Sequence, residues 1–274
     1  VANLKRYTLA TARISAFVIS TLLFGCTPTN TVDPRLSENM PNKIIWAWER
    51  PEDLRAFEAK EFAVAFLAQT IFLKNNDVTP KLRRQPLEVA PGAYLIAVTR
   101  IETDKDGANR PTFDKDMIER IASLVRGTLD LPNVRAIQID FDAVVSERQG
   151  YRKLMLELRR VLSEPRASGD GTKTSQEYIP LTMTSLASWC TGDAWFNDFP
   201  VDEAVPMVFQ MGADSDKIKT YLRNGNDWME PLCRGSYGIS LDEGKIEGMK
   251  DGRRMYYFKN TPWNATDLTV LNTQ

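Results

Sequence analysis

Apolar residues recur along this chain in short runs set apart by polar, glycine-bearing or proline-bearing stretches. The runs fall at 44–48, 62–72, 94–101, 134–142, 181–188, 204–211, 237–241 and 255–258. Their lengths and their β-branched and aromatic content predict strands. Between several of them the period changes. Residues 114–129 bring Ile118, Ile121, Leu124, Val125 and Leu129 onto one helical stripe. Residues 146–162 do the same with Tyr151, Met155, Leu158 and Leu162, after a capping-box pattern at Ser146-Glu147-Arg148-Gln149. A shorter helix is predicted over 214–222, and another over 51–60, where Pro51 suits a first turn.

Strands alternating with helices predict a parallel sheet. Eight strands in about 230 residues fit a small, irregular (β/α)8 TIM-like barrel, an α/β fold. The alternative is an open doubly wound sheet, but its usual phosphate loop is absent: neither G-x-G-x-x-G nor G-x-x-x-x-G-K-[ST] occurs. Pro80, Pro86 and Pro91 exclude a helix near residues 72–93 and predict a hairpin-like excursion there. Residues 164–177 form a polar loop sequence.

The first residues change the picture of where this barrel resides. Lys5, Arg6 and Arg13 precede a mostly apolar run over 14–24, closed by Gly25-Cys26. That run is too short to span a bilayer and has the layout of a signal peptide over 1–25. Leu23-Phe24-Gly25-Cys26 resembles a bacterial lipoprotein signal, which implies lipidation of Cys26. An ordinary secretory signal is the alternative. Thr27 after the cysteine, in proteins resembling this one, goes with the outer membrane facing the periplasm. Residues 26–42 read as a flexible tether and residues 43–274 as one barrel domain.

Net charge is −1, so no basic excess points to nucleic acid. The chain has no histidine, which excludes Ser-His-Asp and Cys-His catalysis and histidine-ligated zinc. Proton transfer then falls to Asp, Glu, Tyr or Lys. No cofactor or resident metal is expected. Cys190 and Cys233 are an even pair in an oxidising compartment and are expected to form a disulfide, with two buried free thiols as the alternative.

In a barrel of this type ligands meet the C-terminal strand ends. In the fourth run Ile137, Ile139 and Phe141 share one face, and Gln138, Asp140 and Asp142 the other. Two carboxylates closing a buried strand are costly unless they bind or react. Other strand ends offer Trp48, Glu49 and Arg50; Arg100 and Glu102; Ser188, Trp189 and Asp193; Gln210 and Met211; Asp242 and Glu243; and Trp263. Tryptophans with acids suit carbohydrate, stacking on sugar rings and moving protons. Trp48, Trp189, Gln210 and Trp263 are the expected substrate contacts, although each tryptophan also suits simple packing. Asp142 is the expected general acid, its pKa raised by a neighbour, and Asp140 the expected ionised stabiliser. Glu49, Glu102 or Glu203 would supply a second carboxylate. Asp140 also suits a structural pairing with Arg100.

Two resemblances bear on this. The fourth strand is similar to the D-x-x-D-x-D-x-E motif of family 18 glycoside hydrolases. Asp142 stands at the acid position and Asp140 at the adjacent Asp, while Gln138 and Arg135 replace the two earlier acids. IQIDFDA, LTMTSLASWC, VDEAVPMVFQMG and GRRMYYF together resemble the bacterial family designated domain of unknown function 3142. That resemblance implies a barrel-like envelope protein with no established activity. The expected function is an envelope lipoprotein acting on or binding a polysaccharide. A non-catalytic glycan-binding or scaffold protein is the competing reading, and a divalent-cation site a third.

Overall fold

The computed structural model describes residues 36, 40–104, 107–165, 178–193 and 195–272. The expected signal peptide, the expected lipidation site Cys26 and most of the expected tether lie outside the described residues, as does most of the loop over 164–177.

Eleven strands are formed among the described residues: β1 (Lys43–Ala47), β2 (Glu52–Leu54), β3 (Phe62–Lys74), β4 (Asp77–Leu82), β5 (Leu87–Val89), β6 (Tyr94–Thr103), β7 (Val134–Asp140), β8 (Leu181–Leu186), β9 (Glu203–Met207), β10 (Ser236–Ser240) and β11 (Arg254–Phe258). Eight of them close into a parallel barrel in the order β1-β3-β6-β7-β8-β9-β10-β11, and β11 returns to β1. These are the eight predicted strands, and the barrel is the predicted fold.

Four helices flank it among the described residues: α1 (Lys115–Gly127), α2 (Arg148–Leu162), α3 (Ser215–Arg223) and α4 (Ala265–Asn272). Helix α1 starts where Asp114 accepts from the Met117 amide at 2.9 Å. It buries Met117, Ile118, Ile121, Ala122 and Val125. Helix α2 buries Tyr151, Leu154, Met155 and Leu158, close to the predicted face. Its approach is capped two residues earlier than the sequence pattern suggested, with Glu147 rather than Gln149 accepting, at 2.8 Å, from the Val144 rather than the Ser146 amide.

The excursion after β3 is a hairpin, with β4 antiparallel to β3 outside the barrel. One helix prediction fails. Residues 51–60 contain β2 and turns, because Glu52–Leu54 pairs in parallel with Leu87–Val89 of the excursion. That long-range pairing overrides local helix preference.

Two apolar layers result. Outward-facing strand residues such as Ile137, Ile139 and Leu181 pack beneath the helices. Inside the barrel, Ile44, Trp46, Ala63, Ala65, Ile96, Val98, Ala136, Val205 and Tyr256 form a separate core. The barrel floor is polar and largely paired: Glu203 accepts from Arg254 Nη1 at 2.9 Å and from the Tyr256 hydroxyl at 2.9 Å, while Arg254 Nε is buried without a hydrogen-bond partner among the described residues. Cys190 and Cys233 form the expected disulfide across a sequence separation of 43, and it ties the segment after β8 to the one before β10. Closing a loop of that length stabilises by about 4 kcal/mol on the chain-entropy account.

Candidate functional site

The barrel interior is filled up to the level of Trp46. Its indole lies across the lumen, donating from Nε1 to Gln138 Oε1 at 2.8 Å, and Gln138 in turn donates to Thr182 at 3.2 Å. Gly238 permits this: a Cβ there would meet the Trp46 ring at 2.8 Å. Above this layer, towards the C-terminal strand ends, a cavity of about 480 Å³ opens. That volume suits a small ligand or a few sugar rings.

Two kinds of side chain line the cavity. Trp46, Trp48, Phe209 and Phe258 give it aromatic walls, and Phe209 stacks on Phe258 with ring centroids 5.1 Å apart. Arg50, Arg100, Asp140, Asp142 and Asp214 give it charge.

Asp140 is the buried acid, 5% exposed. It accepts from Thr184 Oγ1 at 2.7 Å and from Arg100 Nη1 at 3.2 Å. Burial pushes its carboxyl above the ordinary value, and the nearby Asp142 charge adds to this; Arg100 and Thr184 pull the other way. Burial would lower Arg100, but the Asp140 and Glu102 carboxylates outweigh it and raise the guanidinium. Asp142 is exposed at the cavity wall. The sequence reading put the raised carboxyl at Asp142; the acid that burial raises is Asp140.

The other predicted residues divide. Trp48 lines the cavity, with the Arg100 guanidinium 5.7 Å from its ring. Gln210 lines it too, in a left-handed conformation (φ 49°) with its amide donating to Glu243 at 2.8 Å. Glu102 pairs back onto Arg100 Nε at 2.8 Å and Glu49 turns out to Lys81 at 2.9 Å; neither lines the cavity. Trp189 is buried beside Trp195, with centroids 5.0 Å apart, under the segment after β8. Trp263 is buried outside the barrel wall, donating to the Trp46 carbonyl at 3.0 Å and edge-on to Phe57. Glu203 is at the floor, paired with Arg254.

Sequence reasoning missed Thr184, Phe209, Phe258, Asn260 and Asp214. The alternation of β8, β9 and β11 would have found the first three. Asn260 lies in a loop and Asp214 in the 3-10 turn that leads into α3, where no strand period points inward.

Two clasps hold the cavity's first wall. Arg83, from the excursion, donates to the Arg50 carbonyl at 2.6 Å and to the Trp48 carbonyl. Arg50 donates to Glu52 at 2.6 Å and to the Lys259 carbonyl at 2.6 Å.

Fold and site together define a TIM-like α/β barrel with an aromatic and acidic cavity at its C-terminal mouth. Comparison with known proteins returns no match, whether to family models, to curated proteins or to solved structures.

Proposed function

We propose that this protein is a bacterial cell-envelope lipoprotein, related to the family designated domain of unknown function 3142, whose barrel mouth binds a polysaccharide and acts on it through carboxylate chemistry. The observation that carries the reading is the cavity of about 480 Å³, walled by Trp46, Trp48, Phe209 and Phe258 and edged by Asp142. Aromatic faces complement the apolar faces of sugar rings, and carboxylates complement their hydroxyls. Asp142 is exposed to a ligand and serves as proton donor. Asp140, held by Arg100 and Thr184, shapes the field beneath it. The signal-like sequence ending at Cys26 supports attachment through lipid, facing the periplasm. Among the described residues no helix is long and apolar enough to cross a membrane.

A second reading keeps the binding and drops the reaction. It is favoured by the Arg100–Asp140 pair, which occupies one of the two motif acids. A glycan hydrolysis screen with the protein and its Asp142→Asn variant separates the two. Turnover abolished in the variant supports the enzyme. Binding without turnover in either protein supports the module, and neither binding nor turnover removes both readings.

A further inference from the structure

A ligand in the cavity meets only those charges that the protein leaves unpaired. Arg50 is consumed by Glu52 and by the Lys259 and Asn260 carbonyls. Arg100 is consumed by Asp140 and Glu102. Asp142 and Asp214 are both exposed on the lining; neither carboxylate has a hydrogen bond or ion pair among the described residues, although Asp142 lies near enough to Arg100 to help raise its guanidinium. The charge available to a ligand is therefore negative.

The walls around these two acids carry a second preference. Trp48, Phe209 and Phe258 present π-faces or edges to the same space. Aromatic faces attract ammonium groups, as carboxylates do. Among the described residues no lysine lines the cavity, and the one cation near an aromatic face there is Arg100, 5.7 Å from the Trp48 ring, which leaves Phe209 and Phe258 to an incoming ammonium group.

Resting on the glycan reading above, we infer that the cavity selects a cationic glycan: a polysaccharide whose sugars carry free, unacylated amino groups. The sugar ring stacks on the aromatic wall and its ammonium group is drawn to Asp214, with Asp142 adding to the field when it is ionised. Uronic and sialic acids are disfavoured, because their carboxylates would face unpaired carboxylates with no guanidinium free to answer.

The test is calorimetric titration of the protein with β-1,4- and β-1,6-linked hexamers of glucosamine, N-acetylglucosamine and glucose, at low and at moderate salt. The glucosamine hexamer of one linkage should bind about tenfold or more tighter than its neutral counterparts, with the gap narrowing as salt screens the carboxylates. In the Asp214→Asn variant the preference should fall to about threefold or less, because the glucosamine hexamer loses more affinity than the neutral hexamers do. Neutral hexamers binding as tightly as glucosamine, or a preference that survives Asp214→Asn, overturns the inference and leaves the glycan reading standing. Binding by none of the hexamers removes both.

Discussion

Thr184 Oγ1 donates to Asp140 Oδ1 at 2.7 Å, reaching across from the neighbouring barrel strand. With Arg100 on the other oxygen, this fixes the rotamer of the one buried acid in the cavity. The hydrogen bond and the guanidinium favour the ionised form, but burial dominates and the carboxyl is raised.

That balance predicts a pH signature. Between the ordinary carboxylate value of 3.8 and the raised native value, the unfolded chain has released a proton that the native chain retains. Stability from this group is complete below the ordinary value and is lost as pH rises through the window, by about 1.4 kcal/mol per pH unit that the window spans. Asp140→Asn has no such proton to lose. Urea unfolding from about pH 4 to about pH 7 should find wild type losing stability relative to the variant. A constant difference, or one of opposite slope, contradicts the assignment.

At the barrel floor, Glu203 and Arg254 are both buried, with side chains 1% and 3% exposed. Glu203→Gln strands the guanidinium and should cost about 3–5 kcal/mol. Replacing both, as Glu203→Gln with Arg254→Met, should recover much of that loss, because the uncompensated charge is gone. Chemical denaturation of the two variants is the check, and a double variant no better than the single one refutes the argument.

Much of this architecture was legible in the order of residues. The eight barrel strands follow from their short apolar, β-branched and aromatic runs, in which one face looks to the lumen and the other packs beneath the helices. Trp48, Arg100 and Asp140 were readable for the same reason: they sit at strand ends, in register with inward neighbours Trp46, Val98 and Gln138. That parity also explains Glu49, which is one residue out of phase with Trp48 and faces Lys81 instead. Trp189 and Trp263 follow their strands by a turn or more, where the chain has already left the lumen, so strand period says nothing about their direction. The segment over 51–60 looked helical because its partner, Leu87–Val89, is more than thirty residues away. Local propensity carries no trace of such a pairing.

Gly238 predicts a link between packing and binding. A Cβ at this position would press on the Trp46 ring, which Gln138 holds from the other side. Gly238→Ala should destabilise by about 1–3 kcal/mol through overpacking. It should also weaken ligand binding, because the displaced indole forms the cavity base. Thermal unfolding alongside ligand titration tests this; a variant with wild-type stability and wild-type affinity contradicts the link.

Under the proposed glycan reading, Trp48 faces the ligand and Trp189 serves only as core. The most direct test is calorimetric titration of wild type, Trp48→Ala and Trp189→Ala with the tightest-binding glycan of the screen. Trp48→Ala should lose about tenfold or more in affinity, the worth of a stacked aromatic contact. Trp189→Ala should bind normally while losing about 3–5 kcal/mol of stability. Undiminished binding by Trp48→Ala, or affinity lost only on removing Trp189, would contradict a glycan site at the barrel mouth.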